Sequence, residues 1–503
     1  MPRGSRRGFP VRLPVPYPVV AKCDLCEEDS GQNNICVKHY LHDTRPPDAE
    51  PLVVKGAVDL SGAVFDSRIT IRNVTFEGPV DFRGAGFGEW LQFDHVTFLH
   101  PVRFAHAHFD HRVNFNHVRF ADDAEFSDVA FARYARFTTV AFEAEAWFQQ
   151  AVFSGGLLFD EVAFDRKAHL SRVTFAGTTV LSLTSPDADF SLSTFDRRAR
   201  IEVGDGRLSC DRTVFDAGAR LTASGPADVT LHDVHFGAPS TLSAAADTVG
   251  SWRMADRPRL HSVIGTDLAG LTLSYVDLSR CSFGGAHNLD KLTVEGWQSW
   301  GHSPRGFWVT RRAVLADERR RRARSGSPRW AIPGDDPDAV ISAEVQGDYH
   351  ALRRMYDAAK DEPAVTDFYY GEMEMRRRGL WQEFRIRVRE RWWRGLTGSF
   401  GEWLLVSLYW LLSGYGVRAW RALASLAVVV AVASAAFVKW GFPGKSVAYG
   451  DAVRFSVRAA TSLLRGTDTL LTPAGEWIEL VLRLTAPLLL ALALLAIRSR
   501  VRR

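Results

Sequence analysis

A period that does not drift limits what this chain can fold into. Phe65, Phe76, Phe87, Phe98, Phe109, Phe120, Phe131, Phe142, Phe153, Phe164 and Phe175 follow one another at intervals of eleven residues. A second series, Phe82, Phe93, Phe104, Phe115, Phe126, Phe137, Phe148 and Phe159, keeps the same interval and is extended by Leu60, Ile71, Leu170 and Leu181. Large apolar residues therefore arrive at alternating steps of five and six. Two positions before most of them stands a smaller apolar residue, as at Val74, Ala85, Val96 and Ala107. An eleven-residue period also belongs to right-handed helical coiled coils. At about 98° per residue, however, the four apolar places of each unit fall near roughly 0°, 33°, 164° and 229°, which leaves no single buried face. Extended backbone accommodates them, because residues two apart point to the same side. The pattern predicts a mainly β chain in which sides of five, six, five and six residues close a coil of 22. Coils would stack at about 4.8 Å, with Phe87, Phe109 and Phe131 in one interior ladder.

Over residues 264 to 287 the period tightens to five, at Leu268, Leu273, Leu278 and Phe283, preceded two places earlier by Thr266, Leu271, Val276 and Cys281. This stretch, "TDLAGLTLSYVDLSRCSF", resembles the pentapeptide-repeat family, and the Phe-rich region is similar to its looser variant. The resemblance covers roughly residues 57 to 295 and implies a right-handed quadrilateral β-helix. Between about 181 and 262 the register slips, so bulges or a distorted coil are expected there. Some members of the family inhibit gyrase by resembling DNA in shape and negative charge. Residues 57 to 300 hold 31 acidic against 22 basic side chains, a net −9. That is only mildly acidic, and no nucleic-acid partner is expected.

The chain divides by character. Residues 1–56 form a leader; residues 57–300 form the solenoid; residues 301–338, with "ERRRRARSGSPRW" and "PGDDPD", form an Arg/Pro-rich connector. Residues 339–400 are helical and juxtamembrane, with Val345, Tyr349, Leu352 and Tyr356 on one face and Pro363 as a stop. Residues 401–503 are apolar. Within them "WLLVSLYWLL" (403 to 412) is too short to span and suits an interfacial helix. Residues 420 to 438 and 477 to 497 are long enough to cross a bilayer as a two-span α-helical hairpin. Glu479 and Arg483 in the second span are an i, i+4 pair that partly neutralises itself. Arginines at 376 to 394 and at Arg498, Arg500, Arg502 and Arg503 put both ends, and the solenoid, on the cytoplasmic side of a cell membrane. Scattered cysteines fit a reducing compartment. Pro10, Pro14, Pro16 and Pro18 interrupt any cleavable leader. The preponderance of Arg over Lys suggests a GC-rich bacterial genome.

Four constellations bear on chemistry. Cys23, Cys26, Cys36 and His39 have the pair spacing of a structural, tetrahedral zinc knuckle. His95, His106 and His117 recur every eleven residues, so His95 and His117 should stack on neighbouring coils while His106 faces away. Such a ladder on a solvent face is a place for a metal ion or a pH response. Glu372 and Glu374 sit two apart on a helix and should diverge as solvated charges. Finally, the order span, amphipathic segment, Gly-containing turn, span resembles the two-helix pore unit of tetrameric potassium channels, which implies a homo-oligomer. The pore turn would be Gly466, Thr467 and Asp468, where "LLRGTDT" departs from the carbonyl-lined TVGYG filter of that family. The C-terminal half, including "DFYYGEMEMRR" and "SGYG", is similar to actinobacterial membrane proteins with pentapeptide repeats. No phosphate-cradling loop, nucleophile elbow or HExxH motif is present, so no enzymatic activity is expected. The sequence points to a membrane-anchored scaffold whose partners are the lipid membrane and an unidentified protein, with an ion-channel-like pore as the alternative.

Overall fold

From Leu52 the chain winds into a parallel β-solenoid of about eleven turns. The computed structural model describes residues 52–245, 257–296, 299–305, 311–335, 342, 344–389, 396–443, 447–461 and 471–501. These fall into two compact units, Met1–Ala343 and Glu344–Arg503.

Among the described residues the solenoid has three parallel sheets of thirteen, ten and nine strands, and the first of them supplies two of the four sides of a coil. Its long strands pair at an offset of 22 residues, Ile69–Phe76 with Leu91–Phe98 and Ala135–Phe142 with Leu157–Phe164, and Val113–Asn116 and Arg119–Phe120 form the coil between those two pairs. Each long strand bends in the middle at a residue of positive φ: Asn73 at 53°, His95 at 55°, Thr139 at 51° and Glu161 at 55°. The opposite corner repeats the device at Gly62, Gly84, His106, Asp128, Gln150 and Arg172, so a left-handed residue occurs every eleven positions. There the Ala85 N–H donates to the Phe82 carbonyl at 3.0 Å and the Ala107 N–H to the Phe104 carbonyl at 2.9 Å. Gly84 and His106 thus occupy the third position of a β-turn, where a type II turn requires positive φ. The alternation of five and six is explained by this: five-residue steps turn through a left-handed residue, and six-residue steps take a wider corner.

Inside, the aromatic rings form ladders. Phe87, Phe109 and Phe131 stack at 4.9 Å between centroids with planes 4° apart, close to the strand spacing that generates them. Phe76, Phe98, Phe120, Phe142 and Phe164 make a second stack, and Phe82, Phe104, Phe126 and Phe148 a third. Phe153 is fully buried, and Phe65, on the first coil, is half-buried.

Where the sequence loses its period, stacking continues. The register shifts between Phe159 and Val162 as Leu157–Phe164 pairs with Thr179–Thr184. From there the strand runs straight, with Thr179, Leu181 and Leu183 all inward. The Phe76-to-Phe164 ladder ends, and the coil contracts to twenty or twenty-one residues, carrying Phe175 onto Phe195, Phe215 and Phe236. The expected bulges exist at this junction and again between Val229 and Thr230.

The stretch read as a connector carries ordered structure on the last coil. A short antiparallel pair, Gly301–His302 with Ala313–Val314, leads into helix α1 (Ala316–Arg324). Asp317, fully buried, accepts from Ser282 Oγ at 2.6 Å, the Phe283 N–H at 3.1 Å and the Ser342 N–H at 3.1 Å. It thereby satisfies a backbone donor that the final coil would otherwise leave open. Beside it Arg312 reaches Glu318 at 2.6 Å and Arg322 reaches the same carboxylate at 2.5 Å, all three buried. Arg322 also lies 3.9 Å over the Trp330 ring.

The second unit is helical. Helices α2 (Val345–Ala358) and α3 (Glu362–Arg389) form an antiparallel pair, with Val345, Tyr349, Leu352 and Tyr356 inward as their spacing predicts. Gly371 permits the close approach, since a Cβ there would stand 2.3 Å from the Tyr349 ring. Then come α4 (Leu396–Ser413), α5 (Ala419–Ala436, continued by a π-turn to Gly441), α6 (Tyr449–Thr461) and α7 (Pro473–Val501).

Candidate functional site

Two helical segments, Ala419–Gly441 of 23 residues and Pro473–Ile497 of 25, are long and apolar enough to cross a membrane. At 1.5 Å per residue they reach about 35 Å, against a hydrocarbon core of about 30 Å. Their large apolar side chains point outward, with Leu484 66% and Val432 63% exposed. Their inner faces hold α6, through Ala433 and Phe437 of the first segment, Ala452 and Ala459 of α6, and Leu482 and Ala486 of the second. Glu479 and Arg483 pair at 2.5 Å, as the i, i+4 spacing predicts. The apolar Phe400–Ser413 stretch is shorter than either.

The glutamates of "GEMEM" diverge, as expected, but they are not simply solvated. Glu372 pairs with Arg353 at 3.1 Å and His350 at 3.0 Å. Glu374 is buried, because α3 presents it to the turn between α4 and α5. Arg377 binds it at 2.9 Å and the Tyr415 hydroxyl donates to it at 3.1 Å. Tyr415 stands between Gly414 and Gly416 with all three at positive φ, 55°, 61° and 74°. Two small glycines allow the turn, and the tyrosine they flank locks it to α3. Burial, reinforced by the Glu374 carboxylate, pushes the Tyr415 phenol far above its ordinary range. The "DFYYGEMEMRR" and "SGYG" segments are therefore one structural node, which sequence spacing alone did not connect.

On the solenoid, the His95 and His117 rings stack as the eleven-residue spacing predicts, 4.6 Å apart and 3° from parallel. Asp94 beside them accepts from Arg72 at 2.9 Å, from Asn116 at 2.8 Å and from His95 at 3.0 Å. Among the described residues, Asp94, His95 and His117 offer three potential ligand atoms within 4.8 Å of one another. An ion in the plane of one of two parallel rings lies out of the plane of the other, so their nitrogen lone pairs do not converge. The corner is better satisfied as a hydrogen-bonded cluster. Burial alone would raise the Asp94 carboxyl, but bonds from Asn116, Arg72 and His95 outweigh it and hold the group below the ordinary carboxylate range. A group so depressed stabilises the fold above its unfolded pKa, near 3.9, and loses that contribution as pH falls through the lower folded value. Asp94→Asn should therefore cost on the order of 1 kcal/mol at neutral pH. In paired denaturation series the two proteins should converge below about pH 4; a gap independent of pH would show that the charge contributes nothing.

Cys23, Cys26, Cys36 and His39, and likewise Gly466, Thr467 and Asp468, lie outside the described residues.

A coil built from short β sides around apolar ladders is a repeat solenoid, and its repeat can be assigned. Residues 93–141 match the family model of pentapeptide repeats (nine copies). Neither curated proteins nor solved structures include a match to the chain. The protein is thus a parallel β-solenoid, with pentapeptide repeats matched over residues 93–141, followed by helices, two of which are long and apolar enough to cross a membrane.

Proposed function

We propose that this protein is a membrane-anchored, non-enzymatic scaffold whose helical unit inserts in a cell membrane and whose solenoid offers a protein partner a regular cytoplasmic surface. The outward apolar side chains of Ala419–Gly441 and Pro473–Ile497 carry the anchoring part of this reading, since such surface is costly in water and neutral in lipid. Repeat solenoids present long regular surfaces suited to protein binding, which supports the scaffold part. Reporter fusions test the topology. A reporter active only in the cytoplasm should work at Arg503 and at the solenoid and fail in the loop near Gly444. An inactive Arg503 fusion beside an active solenoid fusion would refute the hairpin.

A second reading, a pore regulated by the solenoid, is favoured by one observation: α6 packs against both long helices, as the middle element of a span, helix, span unit would. Unitary currents from purified protein in planar bilayers would favour the pore, and their absence the scaffold.

A further inference from the structure

A cavity of about 460 Å³ opens in the helical unit where α2, α3, α4, the Tyr415 turn and the end of α7 converge. Its walls are of two kinds. Arg353, Arg354 and Asp357 of α2, with Tyr369 and Tyr409, make one end polar and aromatic. Leu492 and Leu495 make the other end apolar, and they belong to the last turns of the Pro473–Ile497 segment. Leu495 is 59% exposed, so the apolar wall continues onto the outward face of that helix. Arg353 is held in place by its ion pair to Glu372 at 3.1 Å and lies 5.6 Å over the Tyr369 ring.

An occupant of such a site needs a charged head and an apolar tail. The two guanidiniums are matched by two carboxylates, Asp357 on the wall and Glu372 behind Arg353, so the site as a whole is close to neutral. A head with a single negative charge leaves one guanidinium–carboxylate balance broken, whereas a head carrying both signs does not. Guanidinium groups suit a phosphate, and a carboxylate beside tyrosine rings suits an ammonium group. We propose that the cavity binds one zwitterionic phospholipid. Its phosphate rests on Arg353 and Arg354, its ammonium group faces Asp357 and the tyrosines, and its acyl chains run along Leu492 and Leu495 into the bilayer. This rests on the reading that α7 lies in a membrane, and it adds a specific lipid contact at the end of α7 that precedes the terminal arginines.

The test uses the full chain in mild detergent, offered equal amounts of phosphatidylethanolamine and phosphatidylglycerol and followed by native mass spectrometry. One phosphatidylethanolamine per chain should be retained, at least tenfold over phosphatidylglycerol. Arg353→Gln with Arg354→Gln should weaken retention at least tenfold. Thr366 also lines the cavity, and Thr366→Trp, which fills it without changing a charge, should do the same and keeps the test alive if the arginine variant does not fold. No retained phospholipid, equal retention of the two lipids, undiminished retention in a folded variant, or displacement by inorganic phosphate alone would each overturn the proposal. Alkaline extraction of membranes separates the two readings: a chain released into the supernatant defeats the anchor itself, while an integral chain without bound lipid defeats only the lipid site.

Discussion

Aspartate in place of Phe109 is expected to abolish folding of the solenoid. Phe109 is 1% exposed and lies between Phe87 and Phe131, with ring centres 4.9 Å away on each side. Truncating a buried phenylalanine costs about 3–5 kcal/mol. A carboxylate left without a partner in that ladder adds several more, or takes up a proton at comparable cost. The total rivals the roughly 5–15 kcal/mol by which a whole domain is stable. Coils in a solenoid are stabilised by their neighbours, so the loss spreads from the defect in both directions. The purified variant should show no cooperative thermal transition for the β unit, and hydrogen exchange should find the strands at 87, 109 and 131 unprotected. Phe109→Leu, which keeps an apolar side chain, should cost only about 1–2 kcal/mol and still melt cooperatively. A normal melt for the aspartate variant would remove the ladder as the source of stability.

The second large effect is expected at the end of the solenoid. Glu318 is fully buried and pairs with both Arg312 and Arg322. Glu318→Gln keeps the shape and removes the charge, which leaves two guanidiniums in a dry site. Breaking a buried pair from one side typically costs about 3–5 kcal/mol. The cap should detach first, exposing the Ser282 and Phe283 backbone to rapid exchange. Replacing the three side chains together, Arg312→Met, Glu318→Leu and Arg322→Met, should recover most of that loss, because an apolar trio has no charge to strand. If Glu318→Gln alone melts like the parent protein, the trio contributes no stability.

The interior of the solenoid was legible in the sequence because a coil repeats one physical problem: each inward place must hold an apolar side chain, and the ladder reports itself as a period. The corners were less legible. Gly62, Asn73, Gly84, His95, His106, His117 and Asp128 are mostly residue types that tolerate positive φ, but Thr139, Gln150, Glu161 and Arg172 continue the series without that signature. The histidines stack as expected, yet what they share is first a backbone conformation. Contraction of the coil after Phe164 looked like lost register because deleting two residues from one side shifts every later position. The charged stretch after residue 311 hid its cap for another reason. Burial of Asp317 depends on the last coil offering Ser282 and Phe283 as partners, a contact between residues some 35 positions apart, and Arg320 reaches back 40 positions to the Arg280 carbonyl. Glu374 was missed in the same way, since its partner Tyr415 comes from beyond the next helix.

Left-handed corners every eleven residues also act as a ruler on how a gene for such a chain can lengthen or shorten. An inserted segment of eleven residues would restore the turn but carry every following strand to the opposite side of the coil, where its sheet partners and ring stacks do not exist. Twenty-two residues return each strand to its own sheet, and after Phe175 the corresponding step is twenty or twenty-one. Related genes should therefore differ in this region by whole coils, while the cap and the helices that follow keep their lengths.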